Sequence, residues 1–383
     1  MALLSSAPAP ERLTVAQRLL GINWVLLLLL TGLAMVGVAM LYSAGDGSFY
    51  PWAARHAVRY AVCLVVMIGV AVIDLRLLLR LAYPVYFFVL ALLIAVEVMG
   101  DIGMGAQRWI DLGIISIQPS ELMKVAIVLA LARYFHGCTH LDLGKLTMMI
   151  PPVLMVLVPV GLVMKQPDLG TASMVGLGAA VVFFAAGVRL WMFGVALMGL
   201  AAIIPVAWNL LHDYQRQRVL TFLEPESDPL GAGYHILQSM IALGSGGVLG
   251  RGFMQGSQSH LSFLPEKHTD FIFTMLAEEF GLVGGVALLA LYMAIIAFCA
   301  AIAIRARNQF GRLLAFGIGS TFFLYAFINI AMVMGLLPVV GVPLPLISYG
   351  GTAMLTAMIG MGLVMNVYIN RDFRIGRRPD EDE

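Results

Sequence analysis

Charge is scarce in this 383-residue chain: Asp, Glu, Lys and Arg together make up 12% of residues, about half the share usual in a soluble domain. The 23 basic and 22 acidic side chains nearly cancel to a net charge of +1, so there is no bulk basic surface of the kind that gathers nucleic acid, and nucleic acid is not expected as a partner. Cysteine is equally sparse. Cys63, Cys138 and Cys299 sit in or beside apolar segments without paired or metal-ligand spacing, which argues against a disulfide framework or a zinc site and for small core residues. Residues 1–17 hold Ala-Pro repeats and scattered charge but no short apolar run ending at a small-residue cleavage site, so they read as a tail rather than a signal peptide. What remains is hydrophobic: 61% of residues, with a mean hydropathy of +0.92.

Apolar runs long enough to cross about 30 Å at 1.5 Å per residue number about ten. They fall near 24–42, 57–73, 81–99, 120–136, 148–164, 171–187, 190–210, 270–304, 311–335 and 351–369. The eighth exceeds one perpendicular crossing, which predicts a tilt or a projection beyond the bilayer. None alternates with period two, so internally hydrogen-bonded helices rather than a barrel must satisfy the backbone in lipid. The expected fold is an all-α, multi-pass membrane bundle. Residues 1–20 form an N-terminal tail, 21–370 the transmembrane domain and 371–383 a C-terminal tail, and a long extracytoplasmic loop, 211–269, separates helices seven and eight.

Lys and Arg divide unevenly between alternate loops. One set carries Arg18, Arg76, Arg80, Arg133, Lys145, Arg189, Arg305, Arg307, Arg312 and Arg371, among others; the short loops of the other set carry only Arg55, Arg59, Arg108 and Lys165. By the positive-inside rule both termini are expected in the cytoplasm of a bacterial inner membrane. Within the long loop, Tyr234 to Leu243 is amphipathic enough to lie along the interface, and the glycine-rich run Gly244 to Gly252 ends it.

This topology gathers several motifs at the outer ends of the even-numbered helices. Helix four opens with Gln118, Pro119, Ser120 and Glu121; helix six follows Gln166, Pro167 and Asp168; helix eight opens at Thr269 and Asp270; helix ten follows Ser348, Tyr349, Gly350 and Gly351. Glu121, Asp168 and Asp270 are thus expected at similar depth, with Arg108, Lys124 and Lys267 close by in sequence. Cations together with positive helix ends favour an anionic ligand such as a pyrophosphate.

Plainer readings stand beside each of these. Asp168 and Ser120 suit ordinary helix caps, and Glu121 with Lys124, at i and i+3, suits a structural ion pair. Lys267 and His268 suit solvated loop residues. Glu278 and Glu279 suit pairing with a polar neighbour, and Phe271 and Phe273 suit core or lipid-facing positions. His56, His136, His140, His212, His235 and His260 share no spacing and read as solvated or interfacial. Asp270 differs, because an ionisable group where a helix enters the membrane is a functional candidate by default.

Several motifs resemble one family. GAQRWIDLG (105–113), QPSELMK (118–124), QPDLGT (166–171), YQRQR (214–218), DPLGAGYH (228–235), FLPEKHTDFIF (263–273) and GVPLPLISYGG (341–351) resemble the SEDS proteins (shape, elongation, division, sporulation), in unbroken order from about residue 20 to 370. The short N-terminal tail and the Tyr214 to His235 stretch resemble the elongation branch, with the division branch as the alternative. The acidic end, Asp380 to Glu383, falls outside the resemblance.

The resemblance implies a peptidoglycan glycosyltransferase that polymerises lipid II into glycan strands at the outer face of the cytoplasmic membrane, for cell elongation and rod shape. It further implies a class B penicillin-binding protein that crosslinks the product. Asp270 is then the catalytic base, with Arg108, Glu121, Lys124, Asp168, Lys267, His268 and Ser348 binding substrate or organising the site. A divalent cation, Mg or Mn, held among Asp270, Asp168 and Glu121 with lipid oxygens, is the alternative means of stabilising charge. A lipid II flippase is the competing function, although no matched pair of broken helices marks an inverted repeat.

Overall fold

A computed structural model describes residues 14–99, 101–103, 106–111, 116–139, 142–210, 216, 220–221, 232–257, 267–373 and 376. In chain order the helices are α1 (Val15–Leu20), α2 (Trp24–Ala44), α3 (Trp52–Ala71), α4 (Leu75–Met99), α5 (Pro119–His136), α6 (Leu146–Lys165), α7 (Leu169–Ala186), α8 (Leu190–Leu210), α9 (Ala232–Ser245), α10 (Ile272–Arg305), α11 (Gln309–Val333) and α12 (Gly351–Ile369). Among the described residues eight are long and apolar enough to cross a membrane: α2, α3, α4, α6, α7, α10, α11 and α12. Of the remaining two expected crossings, α5 carries Glu121, Lys124 and Arg133 within 18 residues, and the apolar stretch of α8 runs from Leu190 to Ala202.

One element goes beyond the sequence-based expectation. Between α4 and α5 the chain forms a small antiparallel sheet of β1 (Asp101–Gly103), β2 (Ala106–Asp111) and β3 (Ser116–Ile117), in the order β1-β2-β3. Asp101 lies opposite Trp109, and Ile110 lies opposite Ile117. The pairing gives β2 a fixed register and so fixes Arg108 over the ends of the neighbouring helices.

Successive long helices reverse direction, so their ends collect on two faces. The tail face holds the start of α2, the α3–α4 turn and the C-terminal segment. There Arg18 bonds Asp74 Oδ2 at 2.8 Å and the Val72 carbonyl at 2.9 Å. Burial pushes the Asp74 carboxyl up, but the Arg18 and Arg76 hydrogen bonds and charges outweigh it and hold the group below its usual range. Asn308 donates to the Phe373 carbonyl at 3.2 Å, and His136 contacts the Gly376 carbonyl at 3.1 Å, so the C-terminal segment is pinned beneath α5 and α11. His136 and His56 are both buried, which corrects the solvated reading: each ring is held by a backbone carbonyl, Gly376 for His136 and Leu346 for His56. His140, His212 and His260, together with the side chain of His235, lie outside the described residues.

The core sits along α5, α11 and α12, which are buried over most of their surface. In lipid there is little hydrophobic drive between helices, so close packing and hydrogen bonds must hold them together. Gly362 of α12 lies so near α3 that a methyl group there would sit 2.7 Å from the Met67 carbonyl oxygen. One turn on, Asn366 donates to the Ala71 carbonyl at 3.0 Å and the Ile73 carbonyl at 2.5 Å, serving the orphan acceptors where α3 ends. Cys63, Cys138 and Cys299 are buried core residues, as are Phe271 and Phe273.

The long helix α10 is not one continuous rod; it is broken at Gly281, whose φ of 64° and ψ of −159° suit glycine alone. Residues 246–252 fill the break. Arg251 N–H donates to the Glu278 carbonyl and Gly252 N–H to the Glu279 carbonyl, both at 3.0 Å. In return Val283 N–H donates to the Val248 carbonyl at 3.1 Å. The glycine-rich run therefore does more than end α9: its backbone replaces the helical bonds that the break gives up. The buried Glu279 accepts from Ser43, and Glu278 accepts from Ser257 at 3.4 Å, so both have polar neighbours.

Candidate active site at the outer helix ends

The face opposite the tails gathers the α2–α3 turn, the sheet and the N-termini of α5, α7, α10 and α12. Asp270 occupies the turn just before α10 and is partly exposed. Its backbone is fixed from two sides. Asn329 of α11 donates to the Asp270 carbonyl at 3.0 Å and to the Val342 carbonyl at 2.7 Å. Ser348 donates to the Thr269 carbonyl at 2.6 Å while accepting from Leu344 N–H at 2.8 Å. Ser348 is thus a buried clasp between two loops.

The loop 341–350 runs beside the Asp270 turn and is itself anchored from below. Tyr292 donates to the Pro345 carbonyl at 2.6 Å, and the His56 ring meets the Leu346 carbonyl at 3.0 Å. Gly341 faces the Asp270 carboxylate, where a methyl group would lie 3.7 Å from Oδ2. Tyr349 N–H donates to the His268 carbonyl at 2.9 Å, and the His268 ring stacks on Trp52 with centroids 4.1 Å apart. Lys267 Nζ lies 4.0 Å from Asp46 Oδ1 in the α2–α3 turn. Arg59, which charge counting treats only as a short-loop cation, lies over the Tyr349 ring at 4.5 Å.

The other expected site residues form two separate arrangements. Asp168 caps α7, accepting from Thr171 N–H at 3.0 Å and Thr171 Oγ1 at 2.9 Å. Arg108 clamps the turn before it, donating to the Gln166 and Pro167 carbonyls at 2.9 and 2.5 Å, with Asp168 Oδ2 3.9 Å away. Deeper in the bundle Lys124 bonds Glu121 Oε1 at 2.6 Å and the Tyr325 hydroxyl at 2.6 Å, and the Tyr325 hydroxyl donates to Glu121 Oε2. All three side chains are buried, so the charges of Lys124 and Glu121 neutralise each other in place.

Lys124 and Arg108 each sit against a carboxylate, Glu121 and Asp168. Ser120 does not cap α5: Gln118 is the N-cap, and Ser120 lies buried in the first turn. The three carboxylates do not converge, since Glu121 is held by Lys124 and Tyr325 and Asp168 by Thr171; among the described residues no three His, Cys, Asp or Glu form a metal-holding group. Tyr325, Asn329 and Trp52 escape sequence reading because aromatic and amide groups in apolar helices carry no spacing signal of their own, and Arg59 enters it only as a loop charge. Residues 263–266, with the YQRQR and DPLGAGY motifs in large part, lie outside the described residues.

Residues 18–372 match the family described as cell cycle protein, FtsW/RodA/SpoVE. The chain belongs to this family. It is 47% identical over 349 residues to the Escherichia coli K12 peptidoglycan glycosyltransferase MrdB, covering 90% of this chain and 93% of that protein. It is 36% identical over 365 residues to the probable peptidoglycan glycosyltransferase FtsW of Trichlorobacter lovleyi, covering 91% and 94%. Among solved structures, the Thermus thermophilus rod shape determining protein RodA superposes with a TM-score of 0.70 at 29% identity, over 92% of this chain and 98% of that one. A chain from a peptidoglycan synthase complex, described as coordinating polymerization and crosslinking, superposes at 0.80 with 33% identity, over 91% and 98%. The FtsW/RodA/SpoVE fold therefore spans nearly the whole molecule.

Proposed function

We propose that this protein is a peptidoglycan glycosyltransferase of the elongation branch, which polymerises lipid II at the outer face of the bacterial cytoplasmic membrane. The higher identity to MrdB than to FtsW favours elongation and rod shape over division. One observation carries the site assignment: Asp270 is a partly exposed carboxylate on a turn whose backbone is held at Thr269 by Ser348 and at Asp270 itself by Asn329. A general base needs that combination of access and fixed position.

In this reading the acceptor hydroxyl attacks the anomeric carbon of the donor sugar and gives its proton to Asp270. The bond from that carbon to the pyrophosphate oxygen breaks, and the lipid pyrophosphate leaves as an anion. In this reading Lys267, beside Asp46, Arg59, over the Tyr349 ring, and the partly exposed Arg108 are the candidate cations for it. The polyprenyl tail stays in the bilayer beside the bundle. A divalent cation, magnesium or manganese, is the alternative means of stabilising the pyrophosphate charge, and would draw its ligands from lipid oxygens, water and the outer carboxylates.

The partner in this reading is a class B penicillin-binding protein, supported by the similarity to a chain from a synthase complex. Both termini are cytoplasmic, which accords with Arg18, Arg76, Arg307 and Arg371 on the tail face. The direct test is purified protein in liposomes with labelled lipid II, resolved for glycan ladders. Wild type is expected to give polymer, and Asp270→Asn to lose about 10² or more in rate while still folding. Full ladders from folded Asp270→Asn protein would remove Asp270 as the base, and translocation without polymer would favour the flippase.

A further inference from the structure

The Glu121–Lys124 pair and Asp270 share no direct contact in the interactions described above, yet both are attached to the same helix. Tyr325 and Asn329 are i and i+4 on α11, so their side chains lie one turn apart on one helical face. Tyr325 closes a three-membered network with Lys124 and Glu121, its hydroxyl accepting from one at 2.6 Å and donating to the other. The ammonium also lies 4.2 Å from the Tyr325 ring centroid, which adds a cation–π contact. Asn329 spends both N–H groups of its amide on the carbonyls of Asp270 and Val342. Val342 adjoins Gly341, the residue facing the Asp270 carboxylate.

Each rung is buried: Tyr325 is 5% exposed and Asn329 0%, so water does not compete for either set of bonds. The chain of contacts runs from α5 through Tyr325, along one turn of α11, through Asn329 and onto the backbone of Asp270. We propose that Tyr325 and Asn329 form a two-rung brace by which the buried Glu121–Lys124 pair sets the position of Asp270, making both of them positioning residues for glycosyl transfer. The claim rests on the reading of Asp270 as the base. It assigns Lys124 a role at a distance, through its hold on α11, rather than contact with the leaving group.

The test uses the full-length protein. Tyr325→Phe keeps the ring and the cation–π face, leaves Glu121 and Lys124 paired, and removes only the hydroxyl. It is expected to lower kcat about tenfold, the scale of one hydrogen bond to a charged group, with KM for lipid II unchanged within about twofold. A readout independent of catalysis accompanies it. In a background with Cys63, Cys138 and Cys299 replaced, Asp270→Cys reports the local setting of that turn through its rate of reaction with a small thiol reagent. Adding Tyr325→Phe should change that rate by about threefold or more, and Asn329→Leu should change it in the same direction. The two together should do no more than the larger single change, since both interrupt one brace.

An unchanged thiol reaction rate in the Asp270→Cys background, with either brace substitution added, would overturn the brace even if kcat fell. Unchanged kcat in folded Tyr325→Phe protein would overturn it too. If Tyr325→Phe does not fold, Asn329→Leu carries both measurements. Should Asp270→Asn polymerise normally, the catalytic reading fails while the thiol rates still decide whether the brace exists.

Discussion

Leu282 N–H donates to the Gly247 carbonyl at 2.9 Å, joining the second half of α10 to the turn that follows α9. The same turn takes up the carbonyls released at Gly281, so two segments distant in sequence complete each other's backbone bonding at a depth where an unpaired group is costly. Gly281→Ala would place a methyl group 2.3 Å from Gly250 N in a backbone region reserved for glycine. The expected destabilisation is about 3 kcal/mol or more. Thermal unfolding in detergent, together with the yield of folded protein, measures it; a variant as stable as wild type would contradict the interlock.

Glu121 and Lys124 are 5% and 2% exposed, and each is the other's charge partner. Lys124→Ala strands a buried carboxylate and should cost about 3–5 kcal/mol, whereas the double change Glu121→Gln with Lys124→Met should cost markedly less. In activity each single loss should roughly equal the double loss, because the second change removes nothing further. Additive losses would mean that the two side chains act independently.

Orientation is checked without any assay of activity. In the background lacking Cys63, Cys138 and Cys299, a cysteine in place of Ser48, exposed in the α2–α3 turn, should react with a membrane-impermeant thiol reagent in intact spheroplasts. One in place of Lys145, exposed ahead of α6 on the opposite face, should react only after lysis. The reverse pattern would put Asp270 in the cytoplasm and end the proposed reading.

A cognate class B penicillin-binding protein is expected to raise polymerisation by about twofold or more through a shift in the population of competent conformers. A partner whose transpeptidase serine is replaced should do so equally. Identical rates with and without it, in a complex verified by co-purification, would remove activation and leave the glycosyltransferase assignment standing.

Much of the fold is legible because apolar runs in lipid have few alternatives to helix. The first span, expected at 24–42, runs Trp24–Ala44; the last, expected at 351–369, runs Gly351–Ile369. Errors fall where helices begin with polar residues. The second, expected from 57, starts at Trp52, because Arg55, His56 and Arg59 hide its first turns. The break at Gly281 follows Glu278 and Glu279 in a run too long for one crossing, but glycines are common in membrane helices, so the pattern does not single out this one. At the site, sequence reading yields the end of the bundle but not direction: Glu121, Asp168 and Asp270 share that end, yet Glu121 turns to Lys124 and Tyr325 and Asp168 to Thr171. Contacts such as Lys124 to Tyr325, 201 residues apart, arise only from the packing of α5 on α11.

The enclosure of α5 also bears on how the protein is made. A charged side chain near the middle of an isolated membrane helix costs about 2.5–3.5 kcal/mol on insertion scales, and α5 carries Lys124 inside it, between Glu121 in its first turn and Arg133 in its last. Presented alone to the bilayer it is a poor candidate for release from the insertion machinery. Its neighbours supply what lipid lacks: α4 lies along it, and α11, made nearly two hundred residues later, brings Tyr325. The hydroxyl that meets both Lys124 and Glu121 is thus absent until the C-terminal helices are made.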